Sequence, residues 1–178
     1  MAFQIEDYLG YWLFYAQRSV AYAFKEALKK CCLEHEKPYA VTPPQWGVLT
    51  LLLEQDGVTI GAISQKRAIE MATTNGIIKR LEQNGLVERR HDLEDRRQVK
   101  VFLTDEGHAI MRYLPGAARA FNELMMHGFS EDQKRDILAM LQQMIVNVGE
   151  VGPDTGDRFG LLPTFSFFKE SEKREMHE

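Results

Sequence analysis

The chain has 178 residues, of which 44% are hydrophobic and 27% are charged, and its formal net charge is −4. This length is enough for one domain with a core, or for a small binding unit joined to a dimerisation part. No apolar run approaches the ~20 residues of a membrane-spanning helix, and the acidic N-terminus lacks the basic start of a signal peptide. We therefore expect a cytoplasmic protein with no membrane partner.

The first predicted element is one long helix over residues 5–36. Its aromatic and apolar residues fall on more than one side, whereas a surface helix buries a single stripe. We therefore expect this helix to contact a second chain as well as its own domain. The residues behind this expectation are Tyr8, Tyr11, Trp12, Tyr15, Val20, Tyr22, Phe24, Ala27 and Leu28.

Two neighbouring thiols, Cys31 and Cys32, lie near the end of this helix. Adjacent Cα atoms lie about 3.8 Å apart, below the usual disulfide range, so the two do not simply pair with each other. An intersubunit disulfide or a single oxidised thiol stays open, although free cysteines usually behave as small buried hydrophobes. Cys31 and His35 share a helical face at a spacing that can hold a metal, but two side chains do not fill a tetrahedral site. We expect buried thiols and no metal.

A second helix is predicted from Pro44 to about Gln55. Thr42 suits its N-cap and Pro43 suits its first turn, because proline lacks an N–H that would stay unpaired there. Gly57 ends the helix. Trp46 lies among its apolar residues.

Residues 57–85 predict two further helices joined by a tight link at residues 69–71. The first carries Ile60 and Ile63 near helical spacing. The second has one face that can bury, made of Thr74, Ile77, Ile78 and Leu81. The opposite face carries small and polar residues, namely Ala72, Thr73, Asn75, Gly76, Lys79 and Gln83. Asn84 and Gly85 predict the end of this helix, since glycine accepts a left-handed conformation.

Residues 86–90 and 98–103 predict the two strands of a hairpin, whose tip over residues 90–97 is too charged for a core. Two short helices followed by a basic β-ribbon have the shape of a DNA-reading unit. Residues 57–103 hold nine cations and six acids, a net charge of +3, which leaves −7 for the rest of the chain. A basic unit on an acidic body favours DNA as the partner.

Helices are also predicted after the hairpin. Thr104 suits the N-cap of the next one, and Pro115 predicts a kink or break near residues 111–114. Ser130 and Gln133 form a capping box for a last helix. The tail over residues 151–178 begins with a turn and is rich in phenylalanine, so we expect it to pack on the body or on a partner chain.

Motifs in this order and spacing resemble the MarR family of winged-helix transcriptional regulators. The matching residues are Thr42, Pro43, Pro44, Gln45 and Trp46 with Val48 and Leu49, then Arg80, Leu81, Glu82, Gly85, Leu86 and Val87, then Asp95, Arg96, Arg97, Leu103, Thr104 and Gly107. The resemblance covers roughly residues 5–150. It departs from the family at Gly76, where many relatives carry a larger side chain, and this affects the expected base preference.

The resemblance implies a mainly α fold with a small β-wing, a winged helix-turn-helix flanked by N- and C-terminal dimerisation helices. We expect an N-terminal dimerisation helix over residues 1–40 and a winged helix-turn-helix over 41–104. C-terminal dimerisation helices follow over 105–150, and the aromatic tail covers 151–178.

The expected DNA contacts follow from the same arrangement. Thr73, Asn75 and Lys79 are candidates for base edges, because asparagine can pair with adenine and lysine with guanine. By resemblance, Arg97 enters the minor groove and Asp95 pairs with it, with Arg96 as a local competitor. The full set of DNA-binding candidates is Ser64, Gln65, Lys66, Arg67, Thr73, Thr74, Asn75, Lys79, Arg80, Arg89, Arg90, Arg96, Arg97 and Lys100.

The function expected from these features is a homodimeric regulator that binds double-stranded DNA at a pseudo-palindromic operator, with repression favoured. It needs no cofactor, but a small aromatic or phenolic effector is expected from the residues Tyr11, Tyr15, Arg18, Trp46 and Arg112. A thiol- or metal-responsive sensor on the same fold and a protein-interaction winged helix without DNA binding are the alternatives. No nucleophile–base pair, phosphate loop or set of four metal ligands indicates an enzyme.

Overall fold

A computed structural model describes residues 4–92 and 98–149 as a mainly helical fold with one small sheet. The helices are α1 (Leu9–Glu34), α2 (Pro43–Glu54), α3 (Ile60–Arg67), α4 (Met71–Gln83), α5 (Asp105–Ile110), α6 (Leu114–Met125) and α7 (Glu131–Gly149). The strands are β1 (Val58–Thr59), β2 (Val87–His91) and β3 (Val99–Leu103). This confirms the predicted fold class. Within the described residues, no helix is both long and apolar enough to cross a lipid bilayer.

The helix starts follow the capping residues in the sequence. The Thr42 N–H donates to Oε1 of Gln45 at 2.9 Å, and Pro43 opens α2 one residue earlier than predicted. The hydroxyl of Thr104 accepts the Gly107 N–H at 3.0 Å. These side chains satisfy N–H groups that the first turn of a helix leaves without partners.

The capping box predicted before α7 is also present. The Ser130 N–H donates to Oε1 of Gln133 at 2.8 Å, and the Gln133 N–H donates to Oγ of Ser130 at 3.2 Å. The predicted break at Pro115 is confirmed, because α5 ends at Ile110 and α6 begins at Leu114. Proline cannot donate the N–H that a continuous helix requires.

The first helix differs from its prediction. A 3₁₀ turn over Ile5–Asp7 precedes α1, and Tyr8 between them is extended, so residues 5–36 do not form one helix. The predicted aromatic tail over residues 151–178 lies outside the described residues.

The sheet is antiparallel, with β3 in the centre between β1 and β2. The hairpin pairs Val87 with Leu103 and His91 with Val99, as expected from the two predicted strands. The strand β1 was not predicted, because two residues are too short to show an alternating pattern. Its Val58 pairs with Val101 and extends the ribbon into a three-stranded wing.

One buried cluster connects most of these elements. Leu28 of α1, Leu49 and Leu52 of α2, Leu81 of α4 and Leu114 of α6 are all fully buried in it. The C-terminal half of α1 and the start of α6 therefore share a core with the helix-turn-helix. This core fixes the orientation of α4 relative to the rest of the chain.

The outer parts of the terminal helices have a different character. Large apolar side chains are exposed there, such as Trp12 at 57%, Phe14 at 55% and Leu138 at 58% of their surface. Contiguous apolar surface of this kind is uncommon on a soluble monomer.

The first turn of α5 packs closely against the end of α4 and the start of the wing. Gly107 is buried, and a Cβ placed on it would lie 2.1 Å from the carbonyl oxygen of Leu86. That oxygen also accepts the Thr104 N–H at 3.1 Å. Only a residue without a side chain permits this approach.

We predict that Gly107→Ala lowers the free energy of unfolding by about 1–3 kcal/mol, because the added methyl group overpacks a closed site. Urea unfolding followed by circular dichroism measures this. Gly76→Ala is the matched control, because a Cβ there meets nothing within 4 Å. It should instead raise the stability of α4 by roughly 0.5–1 kcal/mol. An unchanged Gly107→Ala midpoint would contradict the packing described for α5.

Candidate functional site

The two faces of α4 differ sharply in burial. Ile77, Ile78 and Leu81 are buried against the core, as the periodicity predicted. Thr73 and Lys79, on the opposite face, are exposed. Gly76 lies between them with open space around it. The helix therefore presents a polar surface with little steric bulk, which suits close approach to a groove floor or a phosphate.

The end of α4 places the wing directly beside this surface. The Leu86 N–H donates to the Leu81 carbonyl and the Gly85 N–H to the Glu82 carbonyl, both at 2.9 Å. Gly85 has a φ of +67°, the left-handed conformation that this double hydrogen bond requires. The chain then turns at once into β2, so α4 and the wing have a fixed relative position.

Thr74 is the first correction to the predicted DNA contacts. Its side chain is fully buried on the core face of α4, and its hydroxyl donates to the Glu70 carbonyl at 3.0 Å. A hydroxyl satisfied by the preceding turn of its own helix can lie inside a core. Thr74 therefore supports α4 from within and does not reach DNA.

Of the three residues predicted to face bases, Asn75 is the least accessible. It is partly buried, and its Nδ2 donates to the Met71 carbonyl at 3.1 Å. Thr73 and Lys79 are both exposed on the outer face, and Arg80 follows them as an exposed cation in the last turn. The positions of these side chains do not test whether they contact bases, so the base contacts stay predictions.

The residues of α3 divide into two groups. Gln65 and Lys66 are exposed, and Nζ of Lys66 donates to Oε1 of Gln55 at 2.6 Å. Ser64 instead holds the link to α4, because its hydroxyl donates to the Ile69 carbonyl at 2.6 Å. Ser64 thus stabilises the turn of the helix-turn-helix.

Arg67 is the second correction. Its guanidinium Nη2 donates to the Gly47 carbonyl and, at 2.5 Å, to the hydroxyl of Thr50, both on α2. Burial lowers the pKa of the Arg67 guanidinium, and the nearby Glu54 carboxylate opposes that shift. The long side chain reaches back to α2, and these hydrogen bonds hold the guanidinium there. It therefore does not point outward as a phosphate ligand would.

Within the described part of the wing, the cations Arg89, Arg90 and Lys100 are exposed or partly exposed and have acidic partners. Nε of Arg89 lies 3.3 Å from a carboxylate oxygen of Glu82 on α4. The guanidinium of Arg90 pairs with Glu88 and lies 4.9 Å from the centre of the Phe102 ring. Pairs between exposed charges are weak and easily exchanged, so these arginines can exchange carboxylate for phosphate.

Lys100 on β3 pairs with Asp92 next to the wing tip. Asp95, Arg96 and Arg97 at that tip lie outside the described residues. The roles predicted for them, including entry of Arg97 into the minor groove, stay predictions.

A cavity of about 690 Å³ lies between the C-terminal half of α1 and α6. Its walls include Phe121, Ala27 and Tyr113, and its charged lining residues are Lys30, Glu34 and Arg112. The His35 ring also lines it and stacks on the Tyr113 ring at a centroid distance of 3.7 Å. An apolar cavity of this size with a few polar groups is typical of a small-molecule site.

Of the residues predicted to bind a ligand, only Arg112 lines this cavity. Tyr11 and Tyr15 contact each other at a ring distance of 4.6 Å near the start of α1, and Arg18 lies 5.4 Å from the centre of the Phe14 ring. Trp46 packs edge-on against Phe24 at 6.4 Å.

Sequence reasoning missed His35, Tyr113 and Phe121 as cavity residues. The sequence suggests His35 only as a metal ligand. Its ring partner in the cavity, Tyr113, is far away along the chain, so no local pattern connects His35 with it. The apolar spacing of the helix after the wing indicates that Phe121 lies on a buried face. The spacing does not indicate which other helix Phe121 faces.

Among the described residues, no group of three or more His, Cys, Asp or Glu side chains could hold a metal ion. Nδ1 of His35 lies 2.9 Å from the Cys31 carbonyl oxygen, to which it donates. Both cysteines are buried, and burial raises the pKa of the Cys31 and Cys32 thiols. Fewer reactive thiolates form as a result.

Comparison with known proteins identifies the fold. The sequence model of the MarR family matches residues 41–99. The HTH-type transcriptional regulator TtmR of Methylorubrum extorquens strain PA1 is 33% identical over 135 residues, which cover 74% of this chain and 65% of TtmR. The match thus spans slightly less than two thirds of that relative.

Solved structures agree with this. A probable transcriptional regulator from Pseudomonas aeruginosa has a TM-score of 0.70 and 25% identity, over 80% of this chain and 100% of that one. BpsR from Bordetella bronchiseptica, whose DNA binding is regulated by 6-hydroxynicotinic acid, has a TM-score of 0.71 and 24% identity, over 81% and 97% of the two chains. The chain thus carries a MarR-family winged helix-turn-helix, matched over residues 41–99, and its fold is similar to that of these transcriptional regulators.

Proposed function

We propose that this chain is a sequence-specific DNA-binding transcriptional regulator, a repressor that acts as a homodimer and responds to a small aromatic ligand. The observation that carries the proposal is the exposed outer face of α4. Thr73 and Lys79 are presented there beside the open Gly76, while the opposite face is held in the core. A helix anchored in this way can enter a major groove as a rigid unit.

In this proposal, Thr73 and Lys79 read base edges with Asn75 beside them. Gln65 and Lys66 contact phosphates from α3, and Arg80, Arg89, Arg90 and Lys100 contribute from α4 and the wing. Arg96 and Arg97 act at the wing tip, with Asp95 orienting Arg97. The winged helix-turn-helix over residues 41–104 is then the DNA-binding domain.

The charge distribution supports an oriented approach to DNA. Residues 57–103 carry a net charge of +3, while the remainder of the chain carries −7. The negative charge of DNA attracts residues 57–103 and repels the rest of the chain. The electrostatic field of the DNA therefore turns α4 and the wing toward the duplex before contact. An overall negative charge is compatible with DNA binding for this reason.

The exposed apolar surface supports the homodimer. Trp12, Phe14 and Tyr15 on α1 and Leu138 and Leu141 on α7 are each more than a third exposed. Burying such residues against a second copy removes apolar area from water, at about 25 cal/mol per Å². Residues 1–40 and 105–150 would then be the dimerisation helices, and a twofold would place two copies of α4 about 34 Å apart.

The cavity between α1 and α6 is the proposed effector site. Arg112 and Lys30 can neutralise an acid, and Phe121 and Tyr113 supply aromatic surface. BpsR, which shares the fold, is regulated by an aromatic acid. A ligand would release DNA only if it binds the dimer shape that mismatches the operator more tightly than the shape that fits.

We predict that Lys79→Ala weakens binding to the operator roughly 5- to 150-fold, since a base contact is worth about 1–3 kcal/mol. Fluorescence anisotropy with an operator duplex and a scrambled duplex measures both affinity and specificity. Lys29→Ala is the control, because Lys29 is a lysine on α1 that pairs with Glu26. Equal effects of the two substitutions would rule out base reading by Lys79.

We also predict that benzoate or phenol, as probes of the two ligand classes, binds the protein in calorimetry. Arg112→Ala should weaken benzoate binding roughly tenfold or more, because a hydrogen bond to a charged group is worth about 1.5–3 kcal/mol. Arg119→Ala, on α6 but outside the cavity lining, should leave it unchanged. If neither probe binds, or if both variants behave alike, the effector site is wrong.

A further inference from the structure

Arg67 ends α3 with its guanidinium turned into the protein. Nη2 donates to the Gly47 carbonyl and to the Thr50 hydroxyl. Nε is buried and has no hydrogen-bond partner among the described residues. A charged group thus lies in a partly buried place with only part of its bonding capacity used.

Fold stability alone does not explain this arrangement. A buried charge costs free energy unless it is well paired, and an apolar side chain of similar volume is often as stabilising or more so. The direct acceptors of Arg67 are neutral, and the Glu54 carboxylate acts on it only through its field. We therefore expect an apolar residue such as methionine to be tolerated at this site.

The contacts of Arg67 join the two helices that support α4. Gly47 and Thr50 lie one turn apart in the middle of α2, and the Thr50 hydroxyl also donates to the Gly47 carbonyl at 2.9 Å. Arg67 is followed by Ala68, whose φ of +48° turns the chain into the link to α4. The guanidinium therefore fixes where the helix-turn-helix link lies relative to α2.

The same part of α2 is linked to the cavity wall through Phe24. Trp46, next to Gly47, packs edge-on against Phe24 of α1 at 6.4 Å. Phe24 packs on Phe121 at 5.1 Å, and Phe121 lines the cavity. The end of α3 is thus connected with the cavity through the hydrogen bond from Arg67 to Gly47 and the packed rings of Trp46, Phe24 and Phe121.

We propose that Arg67 is a positioning residue, which latches α3 to α2 and transmits the packing state of the cavity wall to the recognition helix α4. The proposal rests on the DNA-binding function proposed above. It differs from a phosphate contact, because Arg67 acts through Gly47 and Thr50. It also differs from a stabilising core contact, because the proposal expects an apolar replacement to keep the fold. Spatial continuity alone does not prove coupling, so the test measures coupling directly.

The first arm compares Arg67→Met with Lys66→Met, which removes the neighbouring exposed cation. For each full-length variant, urea unfolding and the salt dependence of operator binding are measured. We expect Arg67→Met to keep or raise the unfolding midpoint and to lower operator affinity at least tenfold with an unchanged salt slope. Thr50→Val should reproduce part of this loss, since it removes one acceptor.

Three results would overturn the proposed positioning role of Arg67. A salt slope that falls by about 0.9 in Arg67→Met would indicate a direct phosphate contact. A large loss of stability with full affinity in the folded protein would indicate a structural contact only. Affinity equal to that of the wild type would remove any role in DNA binding. If the wild-type protein binds no DNA fragment, the proposed DNA-binding function is wrong, and the proposed role of Arg67 is then wrong as well.

The second arm is a double-mutant cycle between Arg67→Met and Phe121→Leu, with operator affinity as the readout. Independent sites combine within roughly twofold. We expect the combined effect to differ from the product of the single effects by more than threefold, because Phe121→Leu should lose its influence once the latch is absent. The same cycle with Lys66→Met should be multiplicative. A multiplicative Arg67 cycle would overturn transmission from the cavity wall.

Discussion

The burial of one face of α4 is the constraint on which the rest of this structure depends. Ile77, Ile78 and Leu81 are held in a core that also includes Leu28 of α1 and Leu114 of α6. Because a helix is rigid, fixing this face also fixes the polar face opposite to it. The left-handed turn at Gly85 then sets the wing beside that face. The recognition surface, the wing, α1 and α6 are thus oriented by one shared core.

The same shared core accounts for how a ligand could act at a distance. The cavity lies between α1 and α6, whose inner ends pack against the helix-turn-helix, so no separate hinge is needed between ligand and DNA. Arg67 joins α3 to α2 through the Gly47 carbonyl and the Thr50 hydroxyl.

Local features were predictable from the sequence, and features that need distant parts of the chain were not. The buried face of α4, its end at Gly85 and the caps at Thr42 and Thr104 depend on neighbours within a turn. Thr74 was misread as a DNA contact because its hydroxyl is satisfied inside its own helix. Arg67 was misread because its long side chain reaches another helix. The cavity brings His35 and Phe121 together as lining residues from distant parts of the chain, and β1 was too short for any pattern.

In the proposed function, two copies of this basic surface read DNA together. The test measures binding of the wild type and of Arg97→Ala to genomic fragments, starting with DNA flanking its own gene, across a salt series with footprinting. We expect a protected near-palindrome with half-sites about one helical turn apart. We also expect a log–log salt slope of about −0.9 per phosphate neutralised and weaker binding by Arg97→Ala. Binding no tighter than to unrelated DNA, or a site protected by a single chain, would rule out DNA reading by two copies.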